Sequence, residues 1–209
     1  MRAAIATLTL AFVAFAAAGH AAEPRLVDVT IAVVADSLVS LSDVTLARAL
    51  GLFGLAPSDG PVTDADVERY LDGQLAVREA TQLDLDVPGS EIERVWQAAG
   101  GATLARRMEA IGLDPEWARR LIEADLRTRR LYDVRIRAFV FVTDADVDEA
   151  LGQGPHDEAT RSRTRARLEA EGAARALAEW REDARDRIRI RRIQDARGPW
   201  PPPFSLGGP

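Results

Sequence analysis

The sequence predicts a mainly helical protein, a single helical domain with a small β-sheet formed by its two ends. Apolar residues alternate with polar ones at residues 27–33 and again at residues 187–191, which is the period of a half-buried strand. Between these segments the apolar residues recur at the spacing of amphipathic helices. Because a two-stranded hairpin is marginal alone, we expect the C-terminal strand to pair with an N-terminal hairpin. One helical domain over residues 22–194 would result.

The first 21 residues have the composition of an export signal. Residues 5–18 form an apolar run, Arg2 precedes it, and Gly19-His20-Ala21 follows as a small-residue cleavage site. A membrane anchor is the alternative, but the run is shorter than the ~20 residues that a transmembrane helix needs. We therefore expect cleavage after Ala21, a periplasmic location and no stable membrane insertion.

The composition argues against several classes of function. All 27 basic residues are arginine, and they stand against 33 Asp and Glu, so the net charge is −6. An acidic protein of this kind is a poor ligand for nucleic acid. The chain has no Cys, and His156 is the one His outside the export signal, which argues against thiol chemistry, His-based metal sites and catalytic triads. We expect no cofactor, no metal and no enzymatic activity.

Two short strands and a helix should open the domain. The strand at residues 27–34 breaks at residues 35–37, and residues 38–40 return as the second strand. Ser42 can cap the helix that follows, which should end at Gly51 or Phe53.

The hexapeptide Val-Thr-Asp-Ala-Asp-Val occurs twice, at residues 62–67 and 142–147. Each copy offers a Thr N-cap and acids in the first helical turn. A repeated cation-binding motif is the alternative, but two acids spaced two apart do not share a helix face. We interpret the repeat as one helix start used twice.

Capping and breaking residues divide the rest of the chain into further helices. They comprise a helix from Thr63 to about Leu83, one around Trp96, one ending at Gly112, one from Asp114 towards Phe139, one from Thr143, and one over residues 161–186 that leads into the strand at residues 188–193.

The helix that begins at Asp114 is rich in arginine, which raises the possibility of a phosphate-binding face. Glu123 with Arg127 and Asp125 with Arg129 are pairs at the i,i+4 spacing, so much of this charge is neutralised within the helix. A solvated face that pairs with itself is the interpretation we prefer. Residues 195–209 are rich in proline, fit neither a helix nor a central strand, and are predicted to be a flexible tail; a polyproline ligand is the alternative.

Several groups of residues together have the pattern of a known family. They are Val27-Asp28, residues 31–34 (Ile-Ala-Val-Val), residues 36–43 (Asp-Ser-Leu-Val-Ser-Leu-Ser-Asp), Leu71, Gln74-Leu75, Arg78-Glu79, Val87-Pro88 and Glu91-Ile92-Glu93. With the arginine-rich helix and a long C-terminal helix that feeds a strand, this order resembles SurA-type periplasmic chaperones. Ala35 stands where the family usually has Asn in the hairpin turn.

The resemblance implies a chaperone core without enzymatic modules. Isomerase members of the family carry parvulin modules before the C-terminal helix, and residues 142–160 are too short an interval for one. The resemblance therefore implies an ATP-independent holdase for unfolded outer-membrane or secreted polypeptides, without prolyl isomerase activity. A structural adaptor of an envelope complex with one dedicated partner is the alternative.

The candidate peptide-binding residues are large apolar side chains on the predicted helices and their ends. For each, ordinary core packing is the competing interpretation. They are Trp96, Met108, Trp117, Tyr132, Phe139 and Phe141.

Overall fold

The structure, a computed structural model, describes residues 28–152, 154–193 and 198–206. Its fold is mainly helical with a small three-stranded antiparallel sheet, which confirms the predicted fold class. The proposed export signal, residues 1–21, lies outside the described residues. The helices that are described include none long and apolar enough to cross a bilayer.

The sheet joins the two ends of the described domain. Strand β1 (Thr30–Val34) pairs with β2 (Ser37–Ser40) on one side and with β3 (Ile190–Arg192) on the other, in the order β2-β1-β3. Both pairings are antiparallel. Ala35 in the β1–β2 turn has a φ of 54°, a left-handed conformation that Asn adopts more readily than Ala. The predicted pairing of the C-terminal strand with the N-terminal hairpin is confirmed.

Seven α-helices occupy the rest of the described chain. They are α1 (Leu41–Ala49), α2 (Asp64–Gln82), α3 (Gly89–Ala98), α4 (Gly101–Ala110), α5 (Pro115–Arg135), α6 (Asp144–Leu151) and α7 (Glu158–Arg187), with a 3-10 turn (Arg137–Phe139) after α5.

Helix α1 begins two residues earlier than the sequence predicts. Ser40, the last residue of β2, is already in an extended conformation, and its Oγ accepts a hydrogen bond from the Asp43 N–H (3.1 Å). Ser42 lies inside the helix instead, where its N–H donates to Asp28 Oδ1 (3.2 Å). The strand therefore supplies the cap directly.

The repeated hexapeptide starts a helix at both of its positions, as predicted. Thr63 Oγ1 accepts from the Asp66 N–H (3.2 Å), and Asp66 Oδ2 accepts from the Thr63 N–H (2.9 Å), which is a complete capping box. Thr143 and Asp146 make the same two bonds, at 3.2 and 2.7 Å. The acids of the repeat thus serve the helix ends.

The core lies where α2 packs on α5, with α1, α3 and α4 against α5 and the sheet against α2. The buried side chains at its centre include Leu71, Leu75, Ile122 and Leu131. Helix α7 contributes less: of its 30 residues, only Trp180 and Ala184 are buried. Its first half packs chiefly against α6, and this pair, residues 144–151 and 158–170, is here called the arm.

An acidic row on α2 holds the C-terminal elements in place. Arg185 of α7 forms ion pairs with Asp72 (2.6 Å) and Glu68 (2.9 Å). Arg192 of β3 forms ion pairs with Glu68 (3.1 Å) and Asp64 (3.2 Å). Single exposed pairs add little stability, but a network shared by three acids fixes the direction in which α7 enters the sheet.

Residues 198–206 lie against the domain, although they belong to the flexible tail predicted over residues 195–209; residues 195–197 and 207–209 of that prediction lie outside the described residues. Trp200 forms an antiparallel bridge with Val62, and Trp200, Phe204 and Leu206 pack on the core. The prolines exclude helix and ladder, as expected, but they also stiffen an extended segment that can dock through its aromatic side chains.

Candidate functional site

An open groove runs between the end of α5 and the middle of α7. Its volume is about 530 Å³. Two charged residues, Arg137 and Glu169, interrupt a lining that is otherwise mostly apolar. The lining comprises Tyr132, Ile136, Arg137, Val140, Ala166, Glu169, Ala170, Ala173, Ala174 and Leu177. We call this feature the apolar groove.

Small side chains on α7 account for the groove. Four of its lining residues are alanines of α7, and alanines leave space between helices that larger residues would fill. Gly172 allows the segment after α5 to approach this helix, because a Cβ at Gly172 would lie 2.8 Å from Val140 Cγ1. The wall opposite α7 forms where α5 ends at Arg135 and the chain tightens into the 3-10 turn.

Large apolar side chains stand exposed next to the groove. Phe139 is 72% exposed and Phe141 82%, and they flank Val140 in the chain. Burying one Phe against a partner is worth roughly 1.5–3 kcal/mol. Exposed apolar residues concentrated beside an apolar cavity are typical of binding surfaces.

A second cavity, of about 640 Å³, adjoins the groove and shares Tyr132 and Arg137 with it. Four arginines and two aspartates line this cavity, so its charge is net positive. They are Arg69, Arg129, Arg137, Arg181, Asp125 and Asp133. We call it the arginine pocket.

One of these arginines, Arg69, has spare capacity for hydrogen bonding. Arg69 donates to the Gly54 carbonyl oxygen (3.2 Å), and none of the ion pairs among the described residues includes it. Arg181 is different, because its buried Nε lies 3.5 Å from Asp72 Oδ2 and its charge is already paired within the protein. A guanidinium without a carboxylate partner, as in Arg69, favours a carboxylate from outside.

The loop at the far side of the arginine pocket is held by Asp125 of α5. Asp125 Oδ1 accepts from the Phe53 N–H (2.6 Å), and Oδ2 pairs with Arg129 (2.7 Å). Burial raises the pKa of Asp125, against the opposing effects of the Phe53 N–H and Arg129. Phe53 has a φ of 55°, and its ring lies so close to Gly73 that a Cβ there would be 2.4 Å from Phe53 Cδ1. This wall is therefore closely packed and fixed.

The structure separates the six candidate residues into three groups. Tyr132 lines both cavities, whereas Phe139 and Phe141 line neither but are exposed and flank the groove residue Val140 in the chain. Trp96 and Met108 are buried in the core and do not belong to this surface. Both are core residues because α3 and α4 pack their apolar faces against α5. The guanidinium carbon of Arg119 also lies 4.5 Å from the centroid of the Trp96 ring and covers it.

Trp117 lies elsewhere, at the start of α5. It is half-buried, its Nε1–H donates to Asp43 Oδ1 (3.0 Å), and its ring contacts Phe204. Because an α-helix rises ~1.5 Å per residue, Trp117 lies about 22 Å along α5 from Tyr132. The sequence analysis predicted neither the apolar groove nor the arginine pocket. The repeated alanines on one stripe of α7 were the signal that could have indicated the groove.

The described residues contain no group of three or more His, Cys, Asp or Glu placed to hold a metal ion. No protein-family model matches the chain, and a search of curated proteins gives no significant match. The function has to be inferred from the site itself.

Proposed function

We propose that this protein is an ATP-independent periplasmic chaperone of the SurA type. It holds unfolded outer-membrane or secreted polypeptides and has no prolyl isomerase activity. The observation that carries the proposal is the apolar groove with Phe139 and Phe141 exposed beside it. The order of elements, a hairpin, a helical core and a C-terminal helix that returns to the sheet, supports the same assignment.

The groove suits a ligand that varies in sequence. Alanines give it a smooth wall, and exposed Phe side chains can change rotamer to meet different apolar residues of a client. A client that buries both Phe rings gains a few kcal/mol, which ordering of the client then partly offsets. The expected affinity is moderate, so that a client can leave without an energy source.

The arginine pocket adds a preference to this general affinity. It adjoins the groove at Tyr132 and Arg137, so a client segment lying in the groove can place a neighbouring carboxylate near Arg69. Clients with apolar residues followed by an acidic residue should therefore bind more tightly, and added salt should weaken them.

The periplasmic location rests on the export signal at residues 1–21. N-terminal sequencing of the exported protein should find Ala22 first. A membrane-retained form that still carries residues 1–21 would contradict the proposed location.

The function is tested by aggregation of a denatured outer-membrane protein. The unaltered protein should delay aggregation, and Phe139→Ala/Phe141→Ala should lose most of this effect while its circular dichroism and melting stay unchanged, because neither side chain is in the core. Leu38→Ala is the matched control, since Leu38 is 70% exposed but lies on β2. A proline-isomerisation assay should give a flat trace.

Two results would contradict the proposal. If the protein fails to delay aggregation at several-fold molar excess, and crosslinking in cells recovers one stoichiometric partner, the chain is a structural adaptor of an envelope complex. If isomerase turnover rises above background, the interpretation of residues 142–160 as too short for a catalytic module is wrong.

A further inference from the structure

A segment of the chain itself is docked on a second surface, at the opposite end of α5 from the groove. Val62 and Trp200 exchange two backbone hydrogen bonds, each of 2.9 Å, across an isolated antiparallel bridge. The Gly198 N–H donates to Asp64 Oδ1 (3.3 Å). Residues 198–206 are here called the docked segment, and Val62, Asp64 and Trp117 define the surface that receives it.

The second contact of the docked segment is aromatic. The Phe204 ring meets the Trp117 ring edge to face, with centroids 6.3 Å apart. Trp117 is fixed for this contact, because its indole N–H donates to Asp43 of α1 (3.0 Å). Trp200 and Phe204 are both only half-buried, so solvent reaches part of each side chain, unlike a side chain in the core.

The sequence of the docked segment explains why it binds in an extended form. Three prolines, Pro201 to Pro203, separate Trp200 from Phe204. Proline fixes φ and removes the backbone donor, so the segment has little conformational freedom to lose and cannot continue a ladder beyond the one bridge. Many peptide-binding sites combine backbone hydrogen bonds to an extended peptide with binding positions for particular side chains, as this surface does.

We propose that this surface is a second polypeptide-binding site, and that the docked segment is its built-in competitor. The ligand it takes is an extended, proline-containing segment with two aromatic side chains at the spacing of Trp200 and Phe204. The site is distinct from the apolar groove, since Trp117 and Tyr132 stand on the same helix about 22 Å apart.

Tethering sets how strongly the competitor acts. Four residues, 194–197, join Ile193 to the docked segment, and a short tether gives an effective concentration on the order of 1 mM. Suppose that a free peptide of the same sequence has a dissociation constant of about 100 μM. The chain's own segment would then occupy the surface in roughly ten molecules for each one in which the surface is free. The apparent affinity for a free ligand falls by about tenfold as a result.

The experiment uses a fluorescent, C-terminally amidated peptide with the sequence of residues 198–206. It is titrated into the ¹⁵N-labelled chain and into Trp200→Ala/Phe204→Ala, while the indole N–H signal of Trp117 is followed. The variant should bind about tenfold more tightly than the unaltered chain, and the added peptide should return its Trp117 signal to the position seen in the unaltered chain. Pro201→Ala, a change at an exposed residue of the same segment, is the matched control and should behave as the unaltered chain.

A modified peptide tests the bridge itself. Methylation of the Trp backbone nitrogen removes the donor to the Val62 carbonyl oxygen and leaves the indole in place, so this peptide should bind at least tenfold more weakly. Equal binding of the methylated peptide would mean that the bridge does not define the site.

A second variant guards against loss of folding in the first. A Cβ at Gly198 would lie 2.8 Å from Trp200 Cζ3 and 3.2 Å from the Val62 carbonyl oxygen, so Gly198→Ala disturbs docking while keeping both aromatic residues. It should also bind the peptide more tightly than the unaltered chain.

If neither folded variant binds the peptide at about 1 mM, the docked segment is a permanent part of the fold and the proposal is wrong. Aggregation assays play no part here, so failure of this site and failure of the proposed chaperone function are distinguishable.

Discussion

At the scale of single residues, Glu79 joins three parts of the protein. It is a buried carboxylate of α2 that accepts from Trp180 Nε1 (3.0 Å) and pairs with Arg135 (3.2 Å) and Arg187 (3.3 Å). A buried charge is tolerated when it is paired and hydrogen-bonded, as this one is. The end of α5 and the end of α7 are therefore fixed to α2 through one side chain.

Trp180→Ala should lower the free energy of unfolding by about 3–5 kcal/mol, the usual cost of emptying a large aromatic site. Trp180 is 8% exposed, and its ring meets Tyr132 edge to face at 5.6 Å. Urea denaturation measures the loss. Trp180→Phe keeps an aromatic ring but loses the donor to Glu79, so it should cost less. A loss below about 1 kcal/mol for Trp180→Ala would place this residue outside the cooperative core.

Asp125 should make stability depend on pH in the sense opposite to that of a salt-bridged surface carboxylate. Burial raises its pKa above the ordinary 3.8, so above pH 3.8 the folded protein holds a proton more often than the unfolded chain does. The stability that this group contributes is greatest below pH 3.8 and falls as the pH rises through its folded pKa.

Asp125→Asn removes this titration while keeping an acceptor for the Phe53 N–H. The free energy of unfolding of the unaltered protein minus that of the variant should therefore decrease between about pH 4 and pH 7. Urea titrations across this range check it, with the non-titrating change Leu38→Ala as the control. A difference that grows with pH would mean that pairing with Arg129 outweighs burial.

At the scale of elements, the two copies of the hexapeptide start helices with very different surroundings. Helix α2 lies in the centre of the core, whereas α6 packs chiefly against α7 in the arm. Arg161 pairs with Asp148 and Arg165 with Asp144 across the arm, and Val147 is buried between its helices. The same local signal thus supports one element of the core and one outside it.

Thr63→Ala should therefore lower the free energy of global unfolding by about 1 kcal/mol, the typical value of an N-cap. Thr143→Ala removes an equivalent capping box but should change the global midpoint far less, because α6 can open without the core. Urea denaturation reports the first effect, and faster hydrogen exchange of the α6 amides reports the second. Equal losses of global stability would mean that the arm unfolds together with the core.

Elements with local signals could be predicted from the sequence, and contacts between distant elements largely could not. The capping Thr residues and the pairs at i,i+4 depend on neighbours in the chain, and the structure contains them. The C-terminal strand was also predicted, but β3 (Ile190–Arg192) is shorter than the predicted residues 188–193 because α7 continues to Arg187. The apolar groove depends on how α7 crosses the end of α5, which periodicity does not fix. Trp96 and Met108 were candidates for the surface because an apolar residue on a helix stripe looks the same in a core and in a cleft.

At the scale of the whole molecule, the C-terminal part completes structures that the N-terminal part begins. β3 pairs with β1, Arg192 pairs with Asp64 and Glu68, and Trp200 bridges to Val62. The last of these contacts changes an expectation from the sequence, which gave residues 195–209 no part in the fold.

Two truncations should separate these contributions. Deleting the chain from Asp186 onward should unfold the domain, because β1 loses β3 and Glu79 loses Arg187. Deleting residues 198–209 should lower the melting temperature by a smaller amount, since it removes Trp200, Phe204 and Leu206 from the core surface. Thermal melts followed by circular dichroism give both values. Equal melting temperatures for the two truncations would contradict the role of the sheet.

The strand order β2-β1-β3 also constrains when the protein can fold. The ribosome synthesises β1 (Thr30–Val34) well before β3 (Ile190–Arg192), so the growing chain has no partner for the outer edge of β1 until β3 has emerged. Contacts this distant in sequence also form slowly. Such a delay would suit the export that we propose for this protein, because a chain that crosses a translocation channel has to stay unfolded until it has crossed.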